Sequence, residues 1–202
     1  MSDTIKYVVV GHHTRRHQAE QLAWSLRAHL LIDEGHHGAN WNHLRALQWA
    51  SKQTYRVVIL EDDALPVNGF KEKAAEWVAR FPDAILSFYL GTGRPPQYQI
   101  EIAMKLIEAD KRQADHITIN RLLHGVCYSV PPQLISKLLE KWDVNKPADY
   151  AVSDACGSQV IYPCYSLVDH MDGLPVEKHP DRMPRYERRC AWRLAAPEKE
   201  VM

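Results

Sequence analysis

Apolar residues along this chain keep two rhythms, and their succession reads as strand, helix, strand. Residues 57–60 are four branched apolar side chains in a row (Val57, Val58, Ile59, Leu60). Such a run reads as a strand buried on both faces, as in a parallel sheet. Residues 6–10 and 30–33 read as shorter buried strands. Between them Ala19, Leu22, Ala23 and Leu26 keep helical spacing, which predicts a helix over 17–29. Further helices are predicted over 41–51, 70–80 and 98–111. Pro131-Pro132 opens another, running through Trp142, because proline is tolerated in a first turn. A short helix is expected over 149–157. Strands are expected over 84–90, 117–119, 125–130 and 160–162, with a further segment at 166–170. Trp24, Trp41, Trp49, Trp77 and Trp142 mostly fall on apolar helix faces and read as core, with Trp41 also beside a glycine-rich loop.

A strand-loop-helix-strand start implies a right-handed crossover and a parallel sheet. The expected fold class is α/β: one Rossmann-like domain over residues 1–175, a mostly parallel central sheet flanked by helices. A basic C-terminal tail, 176–202, follows. It carries Lys178, Arg182, Arg185, Arg188, Arg189 and Arg193.

Composition narrows the function classes. The chain has 202 residues, 46% of them hydrophobic, which suits one domain with a sizeable core. Its formal net charge is zero, so no bulk field calls for nucleic acid or an acidic membrane. The four cysteines (Cys127, Cys156, Cys164, Cys190) form no CxxC pair and read as reduced thiols. The start of the chain is too short and polar for a signal peptide, and no apolar run reaches about 18 residues. A cytoplasmic location with no membrane partner is expected.

The chemistry gathers behind the 57–60 strand. Glu61, Asp62 and Asp63 follow it at once. Three like charges at the end of a buried strand repel and lose solvation, and a divalent cation relieves both. Hard cations such as Mn²⁺ and Mg²⁺ take carboxylate oxygens and share them with substrate phosphates. The other reading is an acidic helix start, with carboxylates on the helix dipole. In a strand-loop-helix unit, the first loop faces a nucleotide at the helix N-terminus. That makes Gly11, His12, Thr14, Arg15 and Arg16 candidates for base, ribose or phosphate; the other reading is plain surface loop. Asp33 ends the second strand, and the loop at 34–40 holds Gly35, Gly38 and Asn40, with Asn42 beyond it. In the His12-His13 and His36-His37 pairs, adjacent side chains point in different directions, which argues against a zinc hydrolase.

Taken together, these segments resemble a known family. They are the basic and polar first loop, the acid-Gly-Asn-helix segment (Asp33, Gly35, Gly38, Asn40, Asn42, Ala46) and Glu61-Asp62-Asp63. Downstream come residues 123–130 and a Pro-x-x-Ser-Leu-Val-Asp-His ending at 163–170. Over residues 5–172 the chain resembles the GT-A-fold glycosyltransferases, most nearly glycosyltransferase family 25 and small phage-encoded relatives. The resemblance implies a nucleoside diphosphate sugar donor, expected to be UDP-glucose, and Mn²⁺ or Mg²⁺ as cofactor. It places the metal-binding acids on Glu61 to Asp63, with Asp63 the direct ligand and Glu61 or Asp62 acting through water or on the ribose, and a further metal ligand on His170. It puts Asp33 on the nucleobase or ribose, and the acceptor-side base at Asp149 or, second, Asp154.

Such a transfer needs the leaving diphosphate neutralised, the acceptor hydroxyl deprotonated and the reacting atoms aligned. One base and one displacement imply inversion. Arg15, Arg16 and Arg94 are candidates for the phosphates. The basic tail with Tyr186 and Trp192 suits phosphate contact and base stacking. Hence the expected acceptor is a 5-hydroxymethylpyrimidine in phage DNA, flipped out of its stack. The alternatives are a saccharide or protein acceptor, or a non-catalytic nucleotide-sugar binder.

Overall fold

The computed structural model describes residues 5–173, 176 and 188–196. Its centre is a seven-stranded sheet. The strands are β1 (Ile5–His12), β2 (His29–Asp33), β3 (Arg56–Glu61), β5 (Ile85–Ser87), β6 (His116–Ile119), β7 (Cys127–Val130) and β8 (Val160–Pro163), in the order β2-β1-β3-β7-β5-β8-β6. Strands β2, β1, β3, β5 and β8 run one way, and β7 and β6 run the other. The chain is therefore a single Rossmann-like α/β domain with a mixed sheet.

Strand β3 shows why the sheet sits where it does. Its side chains alternate across the sheet. Val57 and Ile59 enter one core with Val8 and Val10 of β1. Val58 and Leu60 enter the other with Tyr7 and Val9. All four β3 residues are at most 2% exposed. Burial of this kind contributes about 1.5–3 kcal/mol per large side chain, which fixes β3 at the centre.

Helices cover both faces. On the Val58 face lie α1 (Arg16–Leu26), through Ala19, Leu22, Ala23 and Leu26, and α3 (Phe70–Arg80), through Phe70 and Ala74. On the Val57 face lie α2 (Ala39–Ala50), α4 (Pro96–Arg112), α5 (Pro132–Glu140) and α6 (Ala148–Cys156). The start of β3 carries a buried arginine. Arg56 donates to the Ser129 hydroxyl at 2.8 Å and to the carbonyls of Phe81, Pro82 and Ala84. Burial lowers its pKa to about 10.

Four expectations change. The first helix stops at Leu26, because Arg27 turns left-handed at φ 54°. The strand expected over 84–90 pairs in the sheet only at 85–87. Beyond it, Phe88 accepts from the Leu167 amide and Leu90 from that of Trp192, so the backbone leaves the sheet for other partners. Residues 64–66, read as part of a connection, form β4 (Ala64–Pro66), which pairs antiparallel with β9 (Val168–His170). Trp24 is 85% exposed rather than core, because it sits on the outer side of α1, opposite Ala19, Leu22, Ala23 and Leu26.

Residues 189–195 return to the domain as a strap. Gly91 bridges Ala191 antiparallel, and Ser166 bridges Leu194 in parallel. Trp192 donates its indole N–H to Gln99 Oε1 at 3.0 Å, and Arg193 grips both oxygens of Asp110 at 2.6 and 2.7 Å.

Candidate functional site

The acids stand where β3 leaves the sheet: Glu61 is its last residue, and Asp62 and Asp63 lie in the turn that follows. Glu61 continues the Val57–Ile59 face toward α2. Its Oε1 lies 3.1 Å from His43 Nε2 and His43 Nδ1 lies 3.1 Å from the Tyr128 hydroxyl. His43 and Tyr128 are buried, while the Glu61 carboxylate at the end of this chain of hydrogen bonds is partly exposed. With Glu61 ionised, Nε2 carries the proton and Nδ1 accepts from Tyr128. Burial pushes the Glu61 pKa up, but the His43 hydrogen bond and the cations nearby, Arg189 among them, outweigh it and bring it below its ordinary value. Gly125 lies against this pair, where a Cβ would stand 2.5 Å from Glu61 Oε1 and 3.3 Å from His43. The resemblance put Glu61 on the metal; here its Oε1 is engaged by His43, and its charge reaches Asp63, His170 and Arg189.

Asp62 and Asp63 face the first loop. Asp62 Oδ2 accepts from the His12 backbone N–H at 2.6 Å, and Oδ1 from Arg15 Nη1 at 3.1 Å. The same Arg15 nitrogen reaches Asp63 Oδ2 at 2.5 Å. Burial, helped by the charge of Asp63, raises the Asp62 pKa to about 6 despite the His12 and Arg15 contacts. Burial and the charge of Glu61 raise Asp63 as well. Arg15 is held protonated: burial opposes its charge, and the two carboxylates more than compensate.

The β4–β9 ribbon brings the far end of the chain to these acids. Ala64 pairs with His170, which places His170 Nε2 3.4 Å from Asp63 Oδ2. His170 Nδ1 lies 2.6 Å from the Met171 carbonyl, so Nδ1 carries the hydrogen and Nε2 keeps its lone pair. Asp63 is 5% exposed, and its Oδ1 has no hydrogen-bond partner. A buried carboxylate oxygen left unpaired is expensive, and a bound cation would satisfy it.

The residues fit a hard divalent cation. Two ligand atoms about 2.1 Å from one ion, at right angles, lie about 3 Å apart. Asp63 Oδ2 and His170 Nε2 stand close to that spacing. Among the described residues no three His, Cys, Asp or Glu side chains are disposed to hold one ion. Asp63 and His170 would share it with water and phosphate oxygens, the usual habit of Mg²⁺.

A cleft of about 460 Å³ opens beside the acids, lined by His12, Thr14, Arg15, Gln18, Met171 and Gly173, with Val176. The Thr14 backbone N–H donates to His12 Nδ1 at 3.3 Å, and its hydroxyl lies 2.7 Å from the same nitrogen.

The remaining expected contacts lie elsewhere. Gly11 sits under α1, where a Cβ would meet Ala19 and Ile32 at 2.7 Å, so its small size serves packing. Asn42 is 3% exposed and clamps the Gly11 and Leu31 carbonyls at 3.2 and 3.0 Å, which ties β1 to β2. Asp33 accepts from His37 and from the Gly38 amide at 2.8 Å, which folds the glycine-rich loop onto the start of α2. Arg16 faces solvent and pairs with Glu20 and Glu34. Asp154 is a surface ion-pair anchor, 2.9 Å from Arg121 and 2.8 Å from Lys146, and is not part of the cluster.

Asp149, in the first turn of α6, belongs to the Glu61 side. Burial, helped by Glu61, raises its pKa to about 6 against the Tyr150 amide that it accepts.

Sequence reading missed Arg189, His43 and Gly125. Arg189 Nη1 stands 2.9 Å from His170 Nε2. Trp192 and Arg193, expected to meet nucleic acid, are committed to Gln99 and Asp110. Lys178, Arg182, Arg185 and Tyr186 lie outside the described residues. Among the described residues no helix is long and apolar enough to cross a membrane.

No protein-family model matches the chain, and no curated protein matches it. Among solved structures it is similar to that of A197 from STIV, with a TM-score of 0.55 and 9% identity over 96% of this chain and 97% of that one. At that identity the likeness concerns the path of the backbone: an α/β fold shared over nearly the whole of both chains.

Proposed function

We propose that this protein is a metal-dependent glycosyltransferase that moves a sugar from a nucleoside diphosphate sugar to an acceptor hydroxyl. One observation carries the reading: Asp63 is buried with its Oδ1 unpaired and its Oδ2 3.4 Å from His170 Nε2, at a strand end beside a cleft. Ligands of open α/β sheets bind at such strand ends.

Asp63 and His170 would hold the cation, which would supply charge for the leaving diphosphate. Arg15 adds a guanidinium at the mouth of the cleft, and Asp62 keeps Arg15 in place. The His12 and Thr14 backbone sits where a ribose or phosphate enters. Asp149 takes the proton of the acceptor hydroxyl as its oxygen attacks. A pKa of about 6 lets it stay ionised at neutral pH and still accept a proton. Glu61 stays ionised through His43 and keeps Asp149 basic by its charge. One base and one displacement give inversion at the anomeric carbon.

The donor is expected to be UDP-glucose. The acceptor is a 5-hydroxymethylpyrimidine of DNA or a saccharide or protein hydroxyl; Trp192 offers no free ring for base stacking. The test is to incubate the protein with Mn²⁺, a panel of nucleotide sugars, and hydroxymethylated DNA or saccharides, and to read product masses. A thermal shift that needs both nucleotide and Mn²⁺ supports the reading; ligand at 100 times its Kd adds about 2.7 kcal/mol. No shift with any nucleotide, with or without metal, defeats it.

A further inference from the structure

The strap brings to the acids a cation that the proposed chemistry has not yet used. Its backbone is fixed on both sides of the site. Trp192 donates to the Leu90 carbonyl at 2.9 Å, Thr92 donates to Cys190 at 2.9 Å, and Ala191 donates to Asp169 Oδ1 at 2.8 Å. Arg193 anchors the far end on Asp110. Arg189 therefore projects from a held segment, and its guanidinium lands on His170.

That contact has one possible polarity. A guanidinium has hydrogens and no lone pair, and His170 Nδ1 already gives its hydrogen to Met171. Arg189 Nη1 thus donates into the lone pair of His170 Nε2, the same lone pair that a cation bound by Asp63 and His170 would take. The two cannot hold that nitrogen together. The Nε–H of Arg189 is buried and has no hydrogen-bond partner, so the side chain is incompletely satisfied where it stands.

Resting on the proposed transferase reading, we propose that Arg189 binds the diphosphate of the donor and yields His170 to the cation when the cation arrives. The strap keeps the released guanidinium within a side chain's reach of Asp63. A guanidinium fork there meets the phosphate oxygens, two hydrogen bonds at once. Arg189 then shares the charge of the leaving group with the bound cation, and the metal and the arginine trade places at one nitrogen.

The test compares the full-length protein with Arg189→Gln and Arg189→Lys. Free Mn²⁺ is followed by electron paramagnetic resonance without nucleotide, and UDP and GDP binding by calorimetry in saturating Mn²⁺. Arg189→Gln is expected to bind Mn²⁺ severalfold more tightly, because its competitor is gone, and nucleoside diphosphate about tenfold or more weakly. Arg189→Lys keeps the charge and recovers part of the nucleotide affinity. Equal melting temperatures show that the strap is still docked; if Arg189→Gln melts early, the Lys variant alone decides, with weaker nucleotide binding expected and unchanged binding overturning the proposal. Unchanged nucleotide affinity in Arg189→Gln, or weaker Mn²⁺ binding, overturns the inference while the transferase reading stands. A wild-type protein that binds neither Mn²⁺ nor nucleotide removes that reading and the inference with it.

Discussion

The two sides of the β3 terminus hold neighbouring residues in opposite electrostatic states. On the α2 side Glu61 is brought below its ordinary pKa, because buried His43 donates to it and Tyr128 holds His43 in place. On the loop side Asp62 and Asp63 are raised, because burial, with the charge of Asp63 acting on Asp62 and that of Glu61 on Asp63, outweighs Arg15, His12 and His170. The Glu-Asp-Asp triplet is thus two devices. One keeps a carboxylate charged and still. The other buries two carboxylates around one guanidinium, that of Arg15, and leaves Asp63 Oδ1 without a partner.

The sharpest way to break this comparison is Asp63→Asn. It removes a charged ligand from the loop side only. Mn²⁺ binding should be lost, and turnover should fall at least about a hundredfold. Asp149→Asn cuts the other side. The kcat/KM should fall about 10²–10⁴-fold, while calorimetry shows Mn²⁺ and nucleotide still bound. If Asp149→Asn also abolishes Mn²⁺ binding, Asp149 holds up the cation site and its role as the base falls.

Asp149 also sets a pH dependence with a defined sign. Its pKa in the folded protein is raised to about 6, so activity should rise as pH climbs through 6 and the base ionises. Stability runs the other way. The folded state holds this proton more tightly than the unfolded chain, so Asp149 lowers stability as pH rises from about 4 to about 6. Asp149→Asn should therefore stabilise the protein above pH 6, by about 1–2 kcal/mol after discounting for partial exposure, read from urea melts at pH 4 and pH 7.

Gly125→Ala probes the still side. The new methyl would stand 2.5 Å from Glu61 Oε1, so Glu61 or His43 must move. A loss of about 1–3 kcal/mol is expected, with Mn²⁺ affinity nearly unchanged. The smallest effect belongs to Asp154→Asn. Both its oxygens pair with surface cations, so less than about 1 kcal/mol and no activity should be lost. A large activity loss there would restore it as a candidate base.

Local pattern made the sheet and most helices legible. Residues 57–60 announced a strand buried on both faces, and Ala19, Leu22, Ala23 and Leu26 announced the inner side of α1. Trp24 was misjudged because its bulk was read as core, although the spacing of Ala19, Leu22, Ala23 and Leu26 puts it on the opposite side of α1. Strand β4 escaped notice because three residues carry no periodicity; its partner β9 lies a hundred residues away.

By itself, the sequence determined the α/β class, the buried strand and the three acids at its end, because burial and strand periodicity are local properties of the chain. Only the tertiary structure decided which acid faces which partner. Asp63 meets His170 through a ribbon pairing distant segments, Glu61 meets His43 across the sheet face, and Arg189 arrives on a strap from the far end. Charge and hydrogen bonding act over a few ångströms in space, whatever the separation along the chain, so these contacts had no signature in the order of the residues.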